Sequence, residues 1–138
     1  MRVVLDTNIL LSALISPHGI SDKIYRAWRL GRFDLVTSLI QLDELRRASR
    51  YPKFKTVLQP ARVGAMINNL QHAIILNHLN IKEEANDPGD AFLISMSSEG
   101  KADYLVTGEK RAGLLQRKSI GRTRVLTPTD FCGKILKN

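Results

Sequence analysis

The sequence predicts an α/β fold with a mainly parallel central sheet. Three observations carry that reading. Short apolar runs of β type alternate with helical stretches along the chain. Successive runs are too far apart in sequence for tight hairpins, as crossover connections between parallel strands require. Capping residues and acids stand where strands end and helices begin.

The elements follow in order. Arg2–Asp6, with Val3, Val4 and Leu5, reads as a buried strand. Asp6, Thr7 and Asn8 offer capping side chains, and Ile9, Leu10, Ala13 and Leu14 follow at helical spacing. Pro17–Gly19 breaks that pattern, and a helix resumes with Ser21 as N-cap and runs to Leu30, with Ile24, Ala27 and Trp28 inward. Phe33–Thr37 reads as a second buried strand, after which Ser38 caps a helix to about Arg50 with Leu39, Leu42, Leu45 and Ala48 inward. Periodicity extends the next helix from Pro60 to about Leu76. Asp87-Pro88-Gly89-Asp90 opens a helix to Ser98, with proline suited to the first helical position. Tyr104–Thr107 and Arg124–Thr127 are short β-type runs, and Pro128 starts a C-terminal helix.

The 138 residues read as one domain, spanning 1–138, long enough to bury a core without disulfides or a structural metal. Hydrophobic residues at 43% and charged residues at 25% are ordinary globular values, which argues against disorder, collagen or coiled coil. The single Cys132 excludes an internal disulfide and a cysteine-cluster zinc site, and suits a reducing cytoplasm. Arg2 and the apolar residues after it could begin a signal peptide, but Asp6 ends the run too soon. No stretch approaches the roughly 18 apolar residues of a membrane span. The expectation is a cytoplasmic protein with no membrane partner.

Twenty-one Lys and Arg against thirteen Asp and Glu give a net charge of +8. Residues 101–138 alone carry nine basic and three acidic side chains, and a second basic group comprises Arg46, Arg47, Arg50, Lys53 and Lys55. Basic surface attracts phosphodiester backbones through counterion release. It equally serves solubility, so acids gathered at a reactive point are needed to favour nucleic acid.

Asp6, Asp90 and Glu109 each stand beside a strand end or helix start, where α/β sheets build their sites. Hard cations such as Mg²⁺ take oxygen ligands of this kind. Each acid also has a plainer role: Asp6 can cap the following helix, Asp87 is an N-cap, and Asp90 fits a capping box. Asp43 pairs with Arg47 four residues on, whereas Glu44 lies along the margin of the apolar face, where a cation would offset its burial. His18, His72 and His78 lack metal-type spacing, Trp28 falls at core spacing, and Asn8 can orient the Asp6 site or cap the helix. No HExxH, Walker loop or GxSxG occurs.

Together these segments resemble the PIN-domain nucleases. Leu5-Asp6-Thr7-Asn8-Ile9-Leu10 is similar to the family's opening motif, and Ser38–Leu45 to its glutamate-bearing helix. Asn86–Leu93 resembles the third acidic motif, Ala102–Gly108 the strand before the fourth, and Val125–Phe131 the closing segment. The ordered set covers nearly the whole chain and is closest in kind to PIN domains assigned as toxins of toxin–antitoxin systems.

The resemblance implies a three-layer α/β/α domain that hydrolyses RNA phosphodiester bonds with Mg²⁺ or Mn²⁺. It implies Asp6, Glu44, Asp90 and Glu109 as catalytic, metal-binding acids, with Thr107 beside the site; Asn8 and Thr107, and Lys110 and Arg111 in the basic C-terminal third, are the expected substrate-binding residues. It also implies a homodimer and a cognate antitoxin. Where the family has Thr-Gly-Asp, this chain has Thr107-Gly108-Glu109, which keeps the charge and moves it by one methylene; the family's following Asp is absent. Glu109 is therefore expected to be a weaker, water-mediated ligand. The alternative is a PIN domain disabled by that change, acting as an RNA- or protein-binding module. An aspartyl-phosphate enzyme using Asp6 as nucleophile lacks the second Asp it needs two residues on, where Asn8 stands.

Overall fold

The structure, a computed structural model, describes residues 1–81, 88–108 and 114–137. Strand β1 (Arg2–Leu5) leads through helices α1 (Thr7–Ile15) and α2 (Ile20–Arg29) to β2 (Asp34–Ser38). Helices α3 (Leu39–Ala48), α4 (Pro52–Lys55) and α5 (Pro60–Leu70) precede β3 (Ile74–Leu76). Then follow α6 (Pro88–Glu99), β4 (Tyr104–Val106), α7 (Leu114–Arg117), β5 (Ser119–Ile120), β6 (Thr123–Leu126) and α8 (Pro128–Asp130), which runs into a π-helical turn at Phe131–Leu136.

The sheet has the order β3-β2-β1-β4-β6-β5, and all pairings are parallel except β5 with β6. Side chains alternate across it, as strand geometry requires. Val3, Leu5, Leu35, Val106 and Leu126 join the core under α1, α2, α3 and α5. Val4, Val36, Leu105 and Val125 join the opposite core, under α6. Both faces are covered, which gives the three-layer α/β/α architecture and explains why the strands read as continuous apolar runs. Close approach of α6 to β2 depends on Gly100, where a Cβ would stand 2.6 Å from Val36 Cγ1.

Four local expectations are corrected. The helix from Pro60 stops at Leu70, where short bonds such as Ala73 N–H to Leu70 O tighten the turn. Ile74–Leu76 then pairs with β2 as an edge strand, because a three-residue apolar run fits either period. The N-cap of α2 is Gly19, with no side-chain cap, and Ser21 lies inside the helix; Asp22 Oδ2 accepts the N–H of His18, just before the cap. Leu39 is 51% exposed, because Gln41 occupies the inward face of α3's first turn. Finally β5 and β6 do form a tight hairpin, turned at Gly121, whose φ of 55° suits glycine. Asp43 and Arg47 pair at 3.2 Å on the exposed side of α3.

Asp103 ties β1 to the hairpin. Its Oδ2 accepts the Arg2 N–H at 2.8 Å and its Oδ1 accepts Arg122 Nη2 at 2.5 Å. The Arg2 N–H, then Arg122, hold this carboxyl below its ordinary value of 3.8. A depressed pKa means stability that is present above the unfolded value and lost as pH falls through the folded one. Asp103→Asn should therefore lower the urea midpoint at neutral pH, with the difference from wild type shrinking below about pH 4. A difference unchanged down to acid pH would contradict this.

Candidate active site

From β1 the chain builds outward to β2 and β3, and then returns to the other side of β1 for β4 and β6. In open α/β sheets, such a reversal opens a crevice beyond the carboxyl ends of the two central strands. Asp6 follows β1 and Thr107 follows β4, so both stand there. The ladder continues past the strand ends: Asp6 N–H donates to Val106 O and Thr107 N–H to Leu126 O, each at 3.0 Å.

Asp6 is only 7% exposed. Its Oδ1 accepts the Asn8 N–H at 3.1 Å and so caps α1. Its Oδ2 accepts the Thr107 hydroxyl at 2.7 Å, across 101 residues of sequence. A carboxylate offers about four acceptor positions, so capping and ligation are compatible in one residue.

Gln41 braces this corner from below and is not evident as a site residue in the sequence. Its N–H donates to Ser38 Oγ at 3.0 Å, its Nε2 to Leu5 O at 2.7 Å, and its Oε1 accepts the Thr37 hydroxyl at 2.7 Å. The residue before Asp6 is thereby fixed to α3. The Ser38-x-x-Gln41 spacing signals a capping box, but the amide reaches across to β1 instead.

Glu44, one turn after Gln41, is half-buried on the margin of α3. Asp90 is 5% exposed, in the first turn of α6, a helix that packs on β1, β2 and β4. Asn8 is exposed at the start of α1. The structure thus joins Asp6 and Thr107 directly and sets Asp90 and Glu44 on the helices of opposite layers. Among the described residues, no three Asp, Glu, His or Cys side chains are grouped to hold a metal. Glu109, Lys110, Arg111 and Asp87 lie outside the described residues. The donors in the crevice are carboxylate and hydroxyl oxygens, and all three histidines are exposed elsewhere. Those oxygen donors fit a hard divalent ion.

A family model described as PIN domain matches residues 2–111, a span that includes Asp6, Glu44, Asp90 and Thr107. The chain belongs to the PIN domain family. No curated protein matches this PIN domain in sequence. Among solved structures, the PIN domain is similar to a chain in the crystal structure of VapBC2 from Rickettsia felis bound to a DNA fragment from their promoter. The likeness has a TM-score of 0.59 at 20% identity and covers 92% of this chain and 98% of that one. Among the described residues of the PIN domain, no helix is long and apolar enough to cross a membrane.

Proposed function

We propose that this chain is a divalent-metal-dependent ribonuclease and the toxin of a toxin–antitoxin pair. The observation that carries the reading is Asp6: a buried carboxylate at the switch point of a PIN fold, oriented by Thr107 and the Asn8 N–H. Asp6 and Asp90 would hold Mg²⁺ or Mn²⁺, with Glu44 and Glu109 contributing charge. Bound there, the ion supplies a water of lowered pKa and neutralises phosphate charge. Thr107 keeps Asp6 in one rotamer by its hydroxyl, and Gln41 keeps the end of β1 in register with α3. The purified protein should cut single-stranded RNA with Mg²⁺ or Mn²⁺ and stop on chelation. Binding without cleavage under any divalent ion would favour the non-catalytic module.

The substrate backbone has a track beside the site. A cleft of about 570 Å³ adjoins the end of β6, lined among others by Lys118, Arg124, Thr127 and Lys134. These three cations are exposed and, among the described residues, form no ion pair. Lys110 and Arg111 are proposed to bind the same backbone and lie outside the described residues. Each phosphate contact contributes about 0.7 to the slope of log affinity against log salt for a single strand. Replacing Lys118, Arg124 and Lys134 together by Gln should weaken RNA binding for all sequences alike and flatten that slope by about two. An unchanged slope in filter binding would remove this cleft from the RNA path.

The antitoxin reading extends the likeness to a chain of VapBC2. A second cleft, of about 560 Å³ between α3 and α5, sets Arg46, Arg50 and Lys55 around Leu58, Val63 and Ile67. Mixed basic and apolar lining suits an acidic, amphipathic partner segment.

A further inference from the structure

A cleft of about 350 Å³ runs between α2 and the π-helical turn at Phe131–Leu136 and takes no part in the proposed chemistry. Ile20, Lys23, Ala27 and Leu30 line it from α2 at successive spacings of three, four and three residues, so they form one stripe along the helix. Cys132 and Leu136 face them from the turn, and Arg26 and Arg32 are exposed at its edge. Leu30 and Arg32 precede β2, and so lie toward the end of the sheet away from Asp6.

Two large apolar side chains of the stripe stand in water: Leu30 is 80% exposed and Ile20 39%. Single exposed leucines are ordinary, but a stripe that continues onto a floor of buried Ala27 and Leu136 has the form of an interaction surface. Cations surround it. Asp22 answers Arg26 at 2.8 Å, whereas Lys23 and Arg32 make no ion pair among the described residues. Burial pushes the Cys132 thiol up while Lys23 and Arg32 pull it down, so both charges act on the cleft floor.

This lining discriminates between occupants. A two-fold dimer through the cleft would set the same cations against one another. Single-stranded RNA stacks its bases on aromatic side chains, and the stripe that stands in water here is aliphatic. A helix with an apolar stripe flanked by Asp or Glu matches both the floor and the cations. From Ile20 to Leu30 the stripe runs about 15 Å, which offers such a helix nearly three turns of contact.

We propose that this cleft docks an acidic amphipathic helix of a partner protein, with Ile20 and Leu30 holding its apolar stripe and Lys23 and Arg32 its carboxylates. The surface is separate from the cleft between α3 and α5, and the proposal does not depend on the ribonuclease reading. Cys132 is the single cysteine of the chain and lines the cleft, so the rate at which the full chain takes up a maleimide reports occupancy. The probe is a synthetic peptide of about 14 residues, four helical turns, with leucines at i, i+3, i+7 and i+10 between glutamates. It should slow labelling of wild type severalfold, and less so at high salt. A scrambled peptide of the same composition should not. Ile20→Ser with Leu30→Ser, or Lys23→Glu, should abolish the protection, each variant being compared with itself without peptide. Arg46→Glu with Arg50→Glu, in the cleft between α3 and α5, should leave it intact. Protection by oligo-U equal to that by the peptide would give the face to RNA, and labelling that slows as the protein alone is concentrated would give it to a second copy; either result overturns the proposal. So does wild-type labelling that is unchanged at about 1 mM peptide.

Discussion

Asp6→Asn should abolish metal-dependent RNA cleavage, a loss of more than about a hundredfold, while the fold survives. Replacing residues that merely orient a metal ligand typically costs about 10- to 100-fold, so removing the charged ligand itself should cost more. Asparagine keeps an oxygen for the Asn8 N–H and can still cap α1, which makes the variant a test of charge and not of folding. Thr107→Val should lie in the smaller range, because it removes only the 2.7 Å hydrogen bond that orients Asp6. Glu109→Gln should also cost less than Asp6→Asn, as a water-mediated ligand would. Initial rates on one RNA substrate, with circular dichroism as the folding control, check all three. Equal activity of Asp6→Asn and wild type would remove Asp6 from the chemistry.

Gln41→Ala should be the most destabilising polar substitution near the site, by about 3–5 kcal/mol. It deprives Leu5 O and the Thr37 hydroxyl of buried partners, at about 1–3 kcal/mol each, and leaves a cavity besides. Gln41→Leu fills most of that volume and separates the two costs. Urea unfolding gives both values. A loss under about 1 kcal/mol for Gln41→Ala would mean that water replaces the amide without penalty.

The strands β1, β2, β4 and β6 were legible because each is an apolar run buried on both faces. The edge strands were not. β3 is three half-buried residues that continue a helical period, and β5 is two residues defined only by pairing with β6. Asp6 and Thr107 could be singled out because each stands where a strand ends, but their contact depends on β1 and β4 being neighbours in the sheet. Gln41 carries a helix-start signature that is satisfied differently once β1 lies over α3.

The central claim, that the Asp6 crevice holds a divalent ion, is tested most directly by titrating Mn²⁺ into the protein and following free Mn²⁺ by electron paramagnetic resonance. Wild type should show saturable binding that Mg²⁺ competes away, and Asp6→Asn should lose the tightest site. Identical binding curves for wild type and Asp6→Asn would contradict the assignment.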